Sequence, residues 1–384
     1  MFGRLARWSA NSVLLIASVF VFSGCPSTPV TPSRVTSLES IKPLSTPMPS
    51  LVESTLETVQ VDSPAEAAFQ TKDRSDAVLP EEKLQWPTGK LPFNAWAQLC
   101  GFTEIRSIPN SNPPVFDLVS SAGNLTVIVG QRFAKWNGTV IGLGFPPVTE
   151  RGQVVAHSID VYKNFYPLGL GALTVPKQNR VLVLDPGHGG ADPGSHSTVR
   201  KAFEKDLALD WALRIERLLA NSSWRVVLTR RDDRDIPLLE RVAISDASQA
   251  DLFISLHFNS IESSGNGRAP DETGIETYCL TPAGAPSNVT RNFEDDVRRV
   301  YPNNDFDAQN LLFACRMQAS LISTTGRRDR GVRRARFMTV VREQKRPSIL
   351  IEGGFLSNPV ELAQIQQAEY RERMARAVCD GLPN

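Results

Sequence analysis

Histidine is scarce in this chain: only four occur among 384 residues, so each one in a glycine-rich or strand-end setting carries information. Net charge is scarce too. Lys and Arg number 42 against 41 Asp and Glu, which leaves no overall field to draw in nucleic acid or acidic lipid. No nucleic-acid partner is expected, and a carbohydrate or peptide substrate is left open. Long apolar runs are also wanting. Val13 to Phe22 spans ten residues, about half of the roughly 20 that a membrane-spanning helix needs. Cysteine is sparse and never falls in a Cys-x-x-Cys or Cys/His spacing, so none is read as a metal ligand.

What is there begins with an export pattern. Arg4 and Arg7 precede the apolar run, and Ser23-Gly24-Cys25 follows it. A basic start, a short hydrophobic stretch and small residues mark residues 1–24 as a secretory signal. Phe22-Ser23-Gly24-Cys25 resembles a lipobox, which implies cleavage before Cys25 and lipid on its thiol. A plain signal peptide with an incidental cysteine is the alternative. In either case the protein leaves the cytoplasm. With the lipid, it sits on the periplasmic side of the envelope, the outer membrane favoured over the inner, touching membrane only through that anchor. In such an oxidising compartment Cys100, Cys279, Cys315 and Cys379 could pair in three ways; burial as small apolar residues is the plainer account. Residues 25–85 are rich in Ser, Thr and Pro with Phe69 as the one aromatic. They cannot bury enough apolar surface to offset backbone entropy, and are expected to be a disordered tether.

Two folded parts are expected beyond the tether. Residues 86–175 read as a small α+β domain. Leu91 to Cys100 has helical apolar spacing, with Pro92 or Asn94 near its start, and strand-like runs follow from Val115, Leu125, Phe133 and Thr139. Asn137-Gly138 between the last two is a tight-hairpin signal. Residues 86–172 resemble the N-terminal domain-like module of copper amine oxidases, which implies a binding or spacer role. No copper ligand set accompanies it, His157 being the only histidine there. Residues 178–383 alternate strand and helix. Apolar strands start at Val181, Arg225, Leu252 and Ser348, another is expected at Phe337–Val341, and helices span Glu204 to Leu219, Leu238 to Ser248, Ala308 to Ser323 and Val360 to Asp380. That alternation argues a three-layer α/β domain around a mostly parallel, twisted sheet.

The informative histidines lie in this second part. His188 follows the first strand inside Asp185-Pro-Gly-His-Gly-Gly190, and His257 ends the Leu252–Leu256 run. Glu352 ends the Ser348–Ile351 run, while Glu204 starts the first helix. Strand termini converging at one edge of an open α/β sheet would bring these groups together. Two imidazoles and a carboxylate suit zinc, leaving a fourth tetrahedral position for water. A further carboxylate is then needed to move the proton from water to a leaving amine. Glu352 fits, because apolar and glycine neighbours raise a carboxyl pKa. Each residue has a plainer reading. The His188 turn could cradle phosphate, though it lacks a P-loop lysine. His257 could cap a buried strand, Glu204 could be a first-turn acid favoured by the helix dipole, and Glu352 could pair with Arg333.

Together the motifs are more specific. Leu184 to Gly194, Phe203 to Leu209, Asp251 to Asn259, Gly274 to Tyr278, Asp329 to Val332 and Pro347 to Asn358 resemble, in order, the landmarks of zinc-dependent N-acetylmuramoyl-L-alanine amidases. The resemblance covers residues 180–383. It implies one zinc ion on His188, Glu204 and His257, Glu352 as catalytic base, and peptidoglycan as substrate. The reaction implied is hydrolysis of the amide between N-acetylmuramic acid and L-alanine of the stem peptide. A catalytically inactive wall-binding lipoprotein and a zinc peptidase on the stem peptide are the rival readings, and an activating protein partner is left open. Between Leu280 and Asp307 lies an extra segment. It reads first as a solvated surface loop, with a short charged helix bordering the cleft as the other reading.

Overall fold

A computed structural model describes residues 88–171, 180–197, 202–261 and 272–383. The signal segment, Cys25 and the tether lie outside the described residues. Among those described, no helix is long and apolar enough to cross a membrane.

The first part opens with β1 (Lys90–Pro92) and α1 (Phe93–Trp96), followed by β2 (Phe102–Ser107), β3 (Val115–Ser120), β4 (Asn124–Ile128), β5 (Phe133–Trp136) and β6 (Thr139–Gly142). The helix expected from Leu91 is a single turn, because Gly101 at φ +81° reverses the chain into β2. Asn137 and Gly138 both take positive φ, 47° and 86°, as a tight hairpin between β5 and β6 requires. β7 (Val148–Glu150) and β8 (Gln153–His157) complete a separate small sheet in which β8 lies between β1 and β7. A helical stretch closes this part: α2 (Ser158–Asp160), a π-turn at Val161–Phe165, and α3 (Tyr166–Leu170).

The second part runs β9 (Arg180–Pro186), β10 (His196–Ser197), β11 (Ala202–Phe203), α4 (Glu204–Leu219), β12 (Trp224–Leu228), α5 (Leu238–Ala247), β13 (Leu252–Asn259) and β14 (Ile275–Leu280). Then come α6 (Asp307–Thr325), β15 (Asp329–Ala335), α7 (Thr339–Arg342), β16 (Ser348–Phe355), α8 (Pro359–Ile365) and α9 (Ala368–Gly381). Strands β12, β9, β13 and β16 are parallel neighbours; β14 lies antiparallel to β16 and parallel to β15.

Strand parity sorts the core into layers. Leu182, Leu184, Leu252, Ile254, Leu256, Ile349 and Ile351 pack with the apolar stripes of α4, α6 and α9. The alternate residues Val181, Val183, Phe253 and Leu350 pack with Met338, Val340 and Val341 around α7. This is the expected three-layer α/β arrangement on a mostly parallel sheet. Two details differ. Phe337–Val341 is a loop and helical turn, not a strand, and the expected terminal helix is broken after Ile365 into α8 and α9.

The two parts share one sheet. Eleven strands are ordered β12-β9-β13-β16-β14-β15-β6-β5-β4-β3-β2, with Val332 of β15 opposite Ile141 of β6. Their apolar interiors join as well: Trp96, Leu118, Ile141 and Phe165 belong to the same buried cluster as Leu311 and Met317 of α6. Cys100, Cys279 and Cys315 are buried and Cys379 is half-buried, all as free thiols.

Candidate metal centre

The chain after β9 makes a strained turn that aims His188. His188 itself has φ +60°, an uncommon backbone state for a residue with a side chain. Two buried arginines hold that turn by its carbonyls. Arg230 donates to Pro186 O at 3.0 Å and Gly187 O at 2.7 Å, and Arg241 donates to Pro186 O at 3.0 Å and His188 O at 2.9 Å. Beneath them Asp185 accepts from Arg241, Thr229 and Ser255 at 2.7–2.8 Å. Burial opposes ionisation of Asp185, but the Arg241 charge and these donors hold its carboxyl below the ordinary range. Neither arginine is marked by a motif in the sequence. Their sequence signal, Arg230 after a strand and Arg241 in a helix, looks like ordinary surface charge until the fold buries them.

Two glycines leave the room this centre needs. A Cβ on Gly187 would lie 2.2 Å from His257 Cε1. One on Gly194, at φ +65°, would lie 2.6 Å from both Glu204 Oε2 and His188 Cδ2. Real Cβ atoms do not approach so closely, so the glycine-rich motif is needed for space as well as for turning.

Three of the four expected residues meet at one point. His188 Nε2 is 3.1 Å from Glu204 Oε2, and His257 Nδ1 is 2.9 Å from Glu204 Oε1. The three ligand atoms lie within 4.8 Å of one another. Glu204 is not merely favoured by its helix dipole. Its Oε1 also accepts from Phe258 N at 2.9 Å and its Oε2 from Ser195 N at 2.8 Å, so one oxygen is fixed by the end of β13 and the other by the loop before β10. Burial pushes its pKa up, yet hydrogen bonds from the two imidazoles outweigh that and hold it well below the ordinary value. Burial pulls His188 down, while Glu204 and Asp192 together raise it to about 9. Asp192 Oδ2 lies 2.7 Å from His188 Nδ1 and keeps a proton there, which leaves Nε2 facing Glu204. The donor set fits a small divalent cation: two imidazole nitrogens and a carboxylate, with His188 held from outside the set by Asp192 and Glu204 by two backbone amides.

Glu352 stands beside this group rather than in it. It is the register partner of His257 on the neighbouring parallel strand and is 5% exposed. Its expected partner Arg333 points instead to Glu276, at 3.3 Å. Arg291 takes that place, with Nη2 3.3 Å from Glu352 Oε1. Oε2 of Glu352 is buried with no hydrogen-bond partner among the described residues. Burial pushes the Glu352 carboxyl up to about 7; His257 and Arg291 oppose this, and the nearby charges of Glu204 and Glu276 push the same way as burial. A cleft of about 590 Å³ opens over the site, lined by His188, Glu204, His257, Glu352, Arg291 and the apolar wall of Phe337, Met338 and Val340 among others.

His157, the lone histidine of the first part, is a satisfied structural residue. It stacks on Phe145 at 3.8 Å and accepts from Ile159 N.

The sequence profile of the N-acetylmuramoyl-L-alanine amidase family matches residues 182–384. N-acetylmuramoyl-L-alanine amidase LytC of Bacillus subtilis is 32% identical over 206 residues, 54% of this chain but only 35% of LytC. The "Probable cell wall amidase LytH" of Staphylococcus epidermidis is 28% identical over 280 residues, covering 73% of this chain and 80% of its own. Among solved structures, the catalytic domain of CwlV from Bacillus(Paenibacillus) polymyxa var.colistinus is 32% identical. It covers 53% of this chain and 95% of that one, with a TM-score of 0.42.

Proposed function

The chain belongs to the N-acetylmuramoyl-L-alanine amidase family, and from that premise we propose that it cuts the amide joining N-acetylmuramic acid to L-alanine in peptidoglycan. His188, Glu204 and His257 hold one zinc ion, and Glu352 is the catalytic base. Zinc bound there supplies Lewis acidity toward water and toward the scissile carbonyl. The protein residues do the rest. Asp192 fixes the His188 tautomer, and the backbone amides of Ser195 and Phe258 fix Glu204. Glu352, ionised and poorly solvated, takes a proton from water and returns it to the departing alanine nitrogen. The apolar wall of Phe337, Met338 and Val340 keeps the cleft dry enough for those charges to act strongly.

One observation carries this reading above the others: Oε2 of Glu352 is buried, lacks a partner among the described residues, and belongs to a side chain bordering the same cleft as the His188–Glu204–His257 group. A purely structural carboxylate would have both oxygens satisfied. Cell-wall relatives agree with an exported protein. We add that residues 1–24 direct export, that lipid on Cys25 anchors the chain, and that residues 25–85 carry the folded part, with its small module at 86–175, out toward the wall.

Zinc content and digestion products test the proposal together. The purified protein should hold one zinc per chain, and digested muropeptides should yield intact stem peptides with a free L-alanine amine. Shortened stems would show a peptidase instead, and no products from a zinc-loaded protein would show an inactive wall binder.

A further inference from the structure

The segment between β14 and α6 forms no charged helix. It is a strap of turns, ending in a 3-10 turn at Pro302–Phe306. Positive φ at Arg291 (44°) and Asn292 (61°) breaks any helix there. Such angles are unfavourable for residues with a Cβ, and they persist only where the surroundings enforce them. Here the surroundings do so from two sides. Arg132 of the first part donates to Pro286 O and Ser287 O, each at 3.3 Å, and Asn288 donates to Leu143 O at 2.8 Å. From the second part, Arg336 donates to Pro282 O at 2.8 Å and Ala285 O at 2.7 Å and pairs with Asp295.

That fixed strap delivers one guanidinium to the cleft. Arg291 lies over the Tyr278 and Phe337 rings, 5.5 Å and 5.0 Å from their centroids. Its Nη2 makes every polar contact it has: Asn259 Oδ1 at 3.1 Å, Glu352 Oε1 at 3.3 Å and Tyr278 OH at 3.5 Å. Among the described residues, Nε and Nη1 have no acceptor. The side chain is 41% exposed, and no other Lys or Arg among the described residues lines this cleft. A guanidinium held against two rings, with N–H groups left over, is suited to a carboxylate.

We infer that Arg291 forms a carboxylate-binding subsite beside Glu352, selecting stem peptides whose residue after L-alanine carries a free carboxylate. The inference rests on the amidase reading and names the substrate class of that same site. Spacing supports it. If Glu352 serves the scissile amide, the next stem residue is about one Cα step of 3.8 Å further on, within reach of a guanidinium only 3.3 Å from Glu352.

The test uses the full zinc-loaded chain and two muramoyl peptides that differ only in free carboxylate or carboxamide at the second stem residue. Wild type should prefer the free acid by roughly tenfold or more in kcat/KM, the scale of one charged hydrogen bond, expressed mainly in KM. Arg291→Gln should bring the ratio of the two substrates close to one, and Arg291→Lys should restore part of it. Equal rates by wild type would overturn the inference, even if the Gln variant failed to fold. A ratio unchanged in Arg291→Gln would overturn it too, leaving Arg291 as support for Glu352 alone. Failure of wild type to cut either substrate at the muramoyl amide would remove the amidase reading itself, and this inference with it.

Discussion

A carboxyl that is buried and lies near two other acidic side chains, Glu204 and Glu276, binds its proton more tightly than one in water. For Glu352 this places the pKa at about 7 against an ordinary 4.5, so the ionised base appears only as pH rises toward neutrality. We expect kcat to climb with pH through this range. Glu352→Gln should abolish that limb, lower kcat by about 10²–10⁴-fold and leave zinc content unchanged. Retained turnover would overturn the assignment of the base. Stability follows from the same shift with a definite sign. A folded pKa above the unfolded one contributes stability that is whole below about 4.5 and is lost as pH passes through about 7. Metal-free Glu352→Gln should therefore gain on metal-free wild type between those values, by about 3 kcal/mol, and urea titrations at pH 4.5 and 8 would read it. The raised pKa was legible in sequence from the Ile351 and Gly353 neighbours. The partner was not. Arg333 is close to a strand end in sequence, yet β-pairing turns it to Glu276, while Arg291 arrives on a strap whose path depends on both halves of the fold.

Elements with one unambiguous period were readable at their own scale. α4 begins and ends where its apolar stripe does, from Glu204 to Leu219, and β9, β13 and β16 are short apolar runs buried on both faces. The misread elements were those whose surroundings override local preference. Val340 and Val341 favour a strand by β-branching, but they cap the sheet as α7 because the packed layer around Met338 needs a turn there. The strap's acidic and basic residues suggest a helix, yet Asp295 is drawn to Ser287 and Arg336 instead. The loop after β9 shows the reverse case, a motif legible in letters whose spatial demand was hidden. Gly187 has no unusual φ, and its requirement comes from the His257 ring against its Cα. Gly187→Ala should displace that ring and weaken zinc binding by roughly 10–100-fold, the usual range for disturbing a ligand's support. Competition with a chelator would measure it, and an unchanged affinity would mean the loop moves freely.

At the scale of the molecule, two parts distinct in sequence make one interior. The boundary was expected from composition and motif, neither of which reports on edge-strand pairing between β6 and β15. The seam is polar as well as apolar. Arg334, 2% exposed, donates to Asn164 Oδ1 at 2.7 Å, and Lys163 lies 3.3 Å from Asp307, also 2% exposed. Arg132 and Leu143 hold the strap that presents Arg291. Removing residues 1–177 would uncover the β15 edge and the side of α6, and would strand Arg334 and Asp307 without those partners. A buried charge deprived of its partner costs about 3–5 kcal/mol, before any apolar surface is counted. The longer chain should therefore melt in one transition, and the chain from residue 178 onward should melt well below it or fail to stay soluble. It should also lose the distinction between free-acid and amidated stems before it loses zinc, since the strap depends on the first part and the His188–Glu204–His257 group does not. Two separate melting transitions, with the later one unmoved by truncation, would make the first part an independent spacer.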